Sequence, residues 1–253
     1  MFGLTKPKLP ITADEQKSVD NCFSRLATLL GAHRLLDATV MLPTPDHFPD
    51  PYDGSEPALQ RIFHRVATHM NVSPAEIQLT LFKTGYGMTR DIVPLFSGEG
   101  SGASGLYHHD PAASPHISID EALLKEPNAL VATLAHELGH IILLRPGLVD
   151  PDDPDMEPLN DLLTVFMGLG VFTANSAFRF EQHSDYASQG WSVRRSGYLS
   201  EQLFGYALAR FAFERGEPKP AWSRFLATNV AVYLKRSAAW STTRPEPRLF
   251  AKA

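Results

Sequence analysis

Apolar residues recur three and four apart in several stretches of this chain, and alternate in a few shorter ones. Between Ser18 and Leu36 they fall at Val19, Cys22, Phe23, Leu26, Leu29 and Leu30. That spacing predicts a helix, which Gly31 can stop. Ala38–Leu42 reads as a short strand. Pro43–Gly54 is a loop dense in proline and aspartate. A second helix is predicted over Ser55–Asn71, with Ser55 as cap and Pro57 in the first turn. Leu59, Ile62, Phe63, Val66 and Met70 form its inner stripe. Ile77–Phe82 alternates and is rich in strand formers. Leu106–His109 and His116–Ile119 predict two strands around a turn at Asp110–Pro115.

The pattern then changes. Val131–Leu144 is apolar nearly all round, through Val131, Leu134, Leu138, Ile141, Ile142, Leu143 and Leu144. A helix without a polar face is a buried helix. Pro127 can open it and Arg145-Pro146-Gly147 end it. Asn160–Phe178 reads as one further helix, in which Gly168 and Gly170 cost propensity but permit close packing. Tyr198–Phe213 and Trp222–Leu234 read as two more, and the tail from Ser241 is polar, basic and loose. Strands precede the apolar helix and helices follow it, a segregation that predicts an α+β fold. The expected layout is an N-terminal arm over 1–16, a single domain over 17–240 and a tail over 241–253. Within the domain, an α/β lobe of about 17–126 carries a small mixed sheet, and a helical lobe of about 127–240 is built on the apolar helix.

Composition narrows the class of protein. A chain of 253 residues with 43% hydrophobic and 20% charged residues can bury a large core. A net charge of −5, with no basic cluster beyond Arg194-Arg195, argues against a nucleic-acid partner. One cysteine, Cys22, excludes an internal disulfide and favours a reducing compartment. The opening stretch lacks the apolar centre of a signal peptide, and the longest apolar run, Leu162–Ala174, is too short for a membrane span. The expectation is a cytoplasmic protein with no membrane partner; the pattern says nothing of oligomeric state.

The apolar helix carries the candidate chemistry. His136-Glu137-Leu138-Gly139-His140 is an HExxH sequence. Residues four apart on a helix lie one turn up the same face, so two imidazoles so placed can hold one zinc ion, with Glu137 beside them able to reach a water. Random placement in a chain with ten histidines yields roughly 0.02 such matches. Buried imidazoles and a buried carboxylate also require partners, and a metal supplies one. Two histidines are too few for zinc, which takes a third protein ligand and, where it is catalytic, leaves a position for water. Glu157 and Asp161 open the next helical stretch four residues apart and can face the same way. His108, His109, His116 and His183 are further candidates. The Asp150–Pro158 stretch is a candidate calcium loop without EF-hand spacing. The glycine-rich Ser97–Gly105 stretch lacks the ending of a phosphate loop and reads as a mobile loop or a flap.

His136-Glu137-x-x-His140 followed by Glu157-x-x-x-Asp161 resembles the gluzincin branch of the zincin metallopeptidases, the thermolysin-like pattern. The likeness covers about residues 127–175. It implies a zincin-like fold and zinc (Zn2+) held by His136, His140 and Glu157. It implies Glu137 as the catalytic base, Asp161 as hydrogen-bond partner of a zinc histidine, and a peptide or protein substrate. The gap between His140 and Glu157 is slightly short for that pattern, and Pro158 biases Glu157 away from helical geometry. Asp161 therefore stands as the alternative ligand. The metzincin continuation is absent, since Leu143 and Pro146 stand where it needs glycine and histidine. A downstream tyrosine, Tyr198 or Tyr206, could stabilise an oxyanion, though ordinary packing is the expectation for each. A non-catalytic zinc-binding or regulatory protein of the same fold is the alternative reading, and a metal-free helical interaction protein a third.

Overall fold

Thr12 opens the first helix through a reciprocal cap. Its hydroxyl accepts the Glu15 N–H at 3.2 Å, and the Thr12 N–H donates to Glu15 Oε2 at 2.7 Å. Helix α1 (Ala13–Leu30) therefore starts inside the stretch that the sequence reads as an arm. The structure, a computed structural model, describes residues 7–83, 105–108, 114–144, 148–184, 199–243 and 247–250. Among them are eight α-helices and a three-stranded mixed sheet, an α+β arrangement. No helix among the described residues is long and apolar enough to cross a membrane.

Internal contacts divide the chain into two units. One comprises Met1–Leu42, Glu157–Phe178 and Gly197–Ala253; the other comprises Pro43–Met156 and Arg179–Ser196. The division differs from the lobes expected from sequence. Helix α1 groups with the C-terminal helices, and the HExxH helix groups with the sheet. Hydrophobic pattern marks which residues are buried but not which element buries them.

In the sheet-bearing unit, helix α3 (Glu56–His69) is capped by Ser55, whose hydroxyl accepts the Ala58 N–H. The strands β1 (Gln78–Phe82), β2 (Gly105–His108) and β3 (His116–Asp120) run in the order β1-β3-β2. β1 pairs parallel to β3, and β2 antiparallel to it. Ile117 and Ile119 are fully buried on one face, in register with Tyr107 and Gly105. The other face carries Thr80, His116 and Ser118, where the Thr80 hydroxyl shares hydrogen bonds of 2.8 Å with His116 Nε2 and 3.1 Å with the Ser118 hydroxyl. Helix α4 (Pro127–Leu143) packs against α3 and β2, and every residue from Ala129 to Leu143 is buried.

In the other unit, α2 (His33–Leu36) follows α1 after Gly31. The Arg215 guanidinium then takes up three carbonyls at its end, those of Leu35, Leu36 and Ala38. The stretch predicted as one helix over 160–178 is two, α5 (Met156–Phe166) and α6 (Gly170–Ser184). Gly168 breaks it at φ +84°. The segment predicted as a strand at 38–42 is not one. It crosses this break, where the Met41 N–H donates to the Gly168 carbonyl at 2.9 Å. Helices α7 (Glu201–Arg215) and α8 (Thr228–Thr243) pack together, and a 3-10 turn at Ala221–Phe225 stands where the predicted helix over 222–234 begins. The tail is not wholly loose, since Phe250 is buried against Phe166, with ring centroids 6.5 Å apart.

Gly168 has an exact steric requirement. A Cβ there would meet the Thr39 carbonyl oxygen at 2.3 Å, and its φ is one that side-chain-bearing residues rarely adopt. Gly168→Ala is expected to lower unfolding free energy by at least ~2 kcal/mol, because both penalties fall on backbone that cannot swing aside. Urea denaturation checks this, and a loss below about 0.5 kcal/mol would refute it.

Candidate metal centre

Helix α4 fixes both histidines through its regular rise. His136 and His140 are 7% and 5% exposed. Their Nε2 atoms face each other at 3.2 Å, with the rings nearly perpendicular. Two nitrogens bound tetrahedrally to one zinc lie about 3.3 Å apart. The observed spacing fits two ligands of one zinc and equally a hydrogen bond between the two rings. It also restricts protonation, because two N–H groups cannot point at each other across such a gap. Either one ring donates to the other or both lone pairs converge on a cation.

Glu157 lies in the first turn of α5. Pro158, which follows it, does not keep it out of the helix: Glu157 is helical despite the steric bias that a following proline imposes, and Pro158 itself fits a first turn. His136, His140 and Glu157 each offer a ligand atom, and these atoms lie within 4.8 Å of one another. Two imidazole nitrogens and a carboxylate oxygen form a donor set that suits zinc.

Asp161 is outside this group. It is buried in α5 at 4% exposure, and its Oδ2 accepts the Leu199 N–H at 2.8 Å, tying down the entry to α7. Glu137 is also buried, at 6% exposure, in the turn between the two histidines. Strand β2 comes close against it. A Cβ on Gly105 would meet Glu137 Oε1 at 3.0 Å and Thr133 Cγ2 at 2.4 Å. Two residues on, the Tyr107 ring lies nearly parallel to the His140 imidazole, at 8° and 6.2 Å between centroids. Burial raises the Tyr107 phenol above its ordinary pKa, so it is un-ionised at neutral pH. Tyr107 was invisible to sequence reasoning; its one local signal is a place in a strand shortly before the HExxH helix.

The remaining candidates go elsewhere. His116 bonds Thr80 on the far face of the sheet, and burial lowers its pKa. Tyr206 is 1% exposed and donates to Asp20 at 3.0 Å, a packing role. Of the aspartates at 150–155, Asp150 and Asp153 cap local turns, Asp150 accepting from Asp152 N–H and Asp153 from Asp155 N–H, both at 2.9 Å. His109, Tyr198, Arg194-Arg195, the glycine-rich residues 97–104 and the helix stop at 145–147 lie outside the described residues, as do the side chains of His108 and His183. Comparison with protein-family models, curated proteins and solved structures gives no match.

Proposed function

We propose that this chain is a zinc-dependent metallopeptidase of the zincin kind, with His136, His140 and Glu157 as metal ligands and Glu137 as general base. The observation that carries this reading is the donor set of two facing imidazoles and a carboxylate, with a buried carboxylate between the imidazoles in sequence. Zinc held there supplies Lewis acidity, which acidifies water and polarises a carbonyl. Glu137 accepts the proton of the attacking water and passes it to the leaving amine. Its burial and the close approach of β2 at Gly105 restrict where the carboxylate can lie, which favours directed proton transfer.

The strand that flanks this helix is β2. Residues 116–120 form the central strand β3, paired on both sides, and so offer no edge to a substrate. Among the described residues β2 pairs on one side only, so its other edge offers N–H and C=O groups to an extended peptide.

Metal analysis and a peptide-hydrolysis assay test the reading together. The purified chain is expected to carry about one zinc per molecule. Hydrolysis of an unstructured peptide mixture should stop with a chelator and return with zinc. Absence of zinc, with a His136→Ala variant unchanged in metal content and melting temperature, sinks it.

A further inference from the structure

Strand β2 meets α4 along a single stripe. Gly105 lies over Thr133 and Glu137, and Tyr107 lies over His140. On the strand these residues are two apart and share a face; on the helix their partners are four and then three apart and share a face. The same face of the sheet continues into Ile117 and Ile119, both 0% exposed, so the neighbouring strand is anchored on its buried face.

We infer that β2 is a positioning element for the metal centre: the Tyr107 ring holds the plane of the His140 imidazole, and Gly105 admits the strand close enough for it to do so. The inference rests on the zinc reading. Its physical basis is the softness of the imidazole torsion. Rotation of a histidine ring about its last side-chain bond has a broad, shallow profile, so its neighbours set the angle. The parallel Tyr107 ring, at 6.2 Å between centroids, is an offset neighbour that limits how far the imidazole edge can swing toward it. Any side chain at residue 105 removes this restraint from a distance. A Cβ there would meet Thr133 Cγ2 at 2.4 Å and Glu137 Oε1 at 3.0 Å, and as far as the strand yields to these two side chains Tyr107 moves with it. The ring performs this function, not the hydroxyl, so Tyr107 is a positioning residue.

Zinc affinity of the full chain, measured by competition with a chromophoric chelator, and the visible spectrum of the cobalt-loaded protein test this. Tyr107→Ala and Gly105→Ala are each expected to weaken zinc about 10- to 100-fold and to change the cobalt bands. Tyr107→Phe is expected to keep affinity within about two-fold, with wild-type bands. Tyr107→Leu fills the space without a flat ring, should match Tyr107→Ala, and replaces it if that variant does not fold. Wild-type affinity and spectrum in the Ala or Leu variant overturn the inference, as does a Phe variant as weak as Ala. A wild-type chain that binds neither metal takes down the zinc reading, and this inference with it; failure in the variants alone leaves that reading standing.

Discussion

Glu137→Gln is expected to lower kcat for peptide hydrolysis by about 10²- to 10⁴-fold while leaving zinc content unchanged. The substitution keeps the size of the side chain, which matters because Glu137 is 6% exposed and a Cβ on Gly105 would already crowd it. It removes the proton acceptor and little else. KM should move little, since an interaction made only in the transition state appears in kcat. The contrast with His136→Ala is informative: that variant should lose metal and activity together, Glu137→Gln activity alone. A Gln variant as fast as wild type ends the general-base assignment. One that also loses zinc places Glu137 in the donor set. Full zinc occupancy with no hydrolysis by wild type leaves a non-catalytic zinc protein, the alternative reading.

The helix that carries these residues was legible because its signals are local. An unbroken apolar surround specifies burial, Pro127 specifies a start, and four-residue spacing puts His136 and His140 on one line. The expected run through 131–144 lies almost wholly within α4 at Pro127–Leu143. The three strands were legible for the same reason, by alternation. Their order was not. A parallel pairing of Gln78 with His116 depends on packing across a long stretch of chain, and nothing in HISID distinguishes a central strand from an edge. Tyr107 escaped notice on the same ground, because its partner is a histidine 33 positions on.

Gly168 shows a subtler limit. The sequence marks it as a residue permitting close approach, which it is, but the approaching group is the backbone of Thr39 and the outcome is a break in the helix. Local propensity cannot distinguish a glycine that packs within a helix from one that ends it. The tail shows the reverse error. Its prolines and basic residues signal solvent, yet Arg248 stands over the Phe213 ring and Phe250 is 7% exposed. A buried carboxylate on another helix decides that outcome.

That carboxylate belongs to Glu214, and breaking its ion pair is the larger of the stability changes expected here. Arg210→Met should lower unfolding free energy by about 3–5 kcal/mol. The Arg210 and Glu214 side chains are 4% and 0% exposed and meet at 3.1 Å. Arg210 also lies 3.5 Å from Asp20 on α1 and donates to the Pro247 carbonyl at 3.0 Å. Glu214 accepts the N–H groups of Leu249 and Phe250 at 2.9 and 3.3 Å. Losing the guanidinium leaves the buried Glu214 carboxylate to the N–H groups of Leu249 and Phe250, with Arg248 donating to the Glu214 backbone carbonyl at 3.2 Å. Methionine fills the volume of the arginine stem, so the loss reports the charge and not a cavity. Glu214→Gln in the Arg210→Met background should recover part of it, because the amide oxygen still accepts the tail N–H groups and no charge remains buried. In a double-mutant cycle the coupling should exceed about 1 kcal/mol. Carboxypeptidase provides an independent readout: residues 247–250 should be trimmed much faster from Arg210→Met than from wild type under native conditions. Phe250 packs on Phe166, and Phe166 closes the helix that begins at Met156 and carries Glu157. A single variant that loses less than about 1 kcal/mol and keeps its tail would mean that the pair adds little beyond its packing.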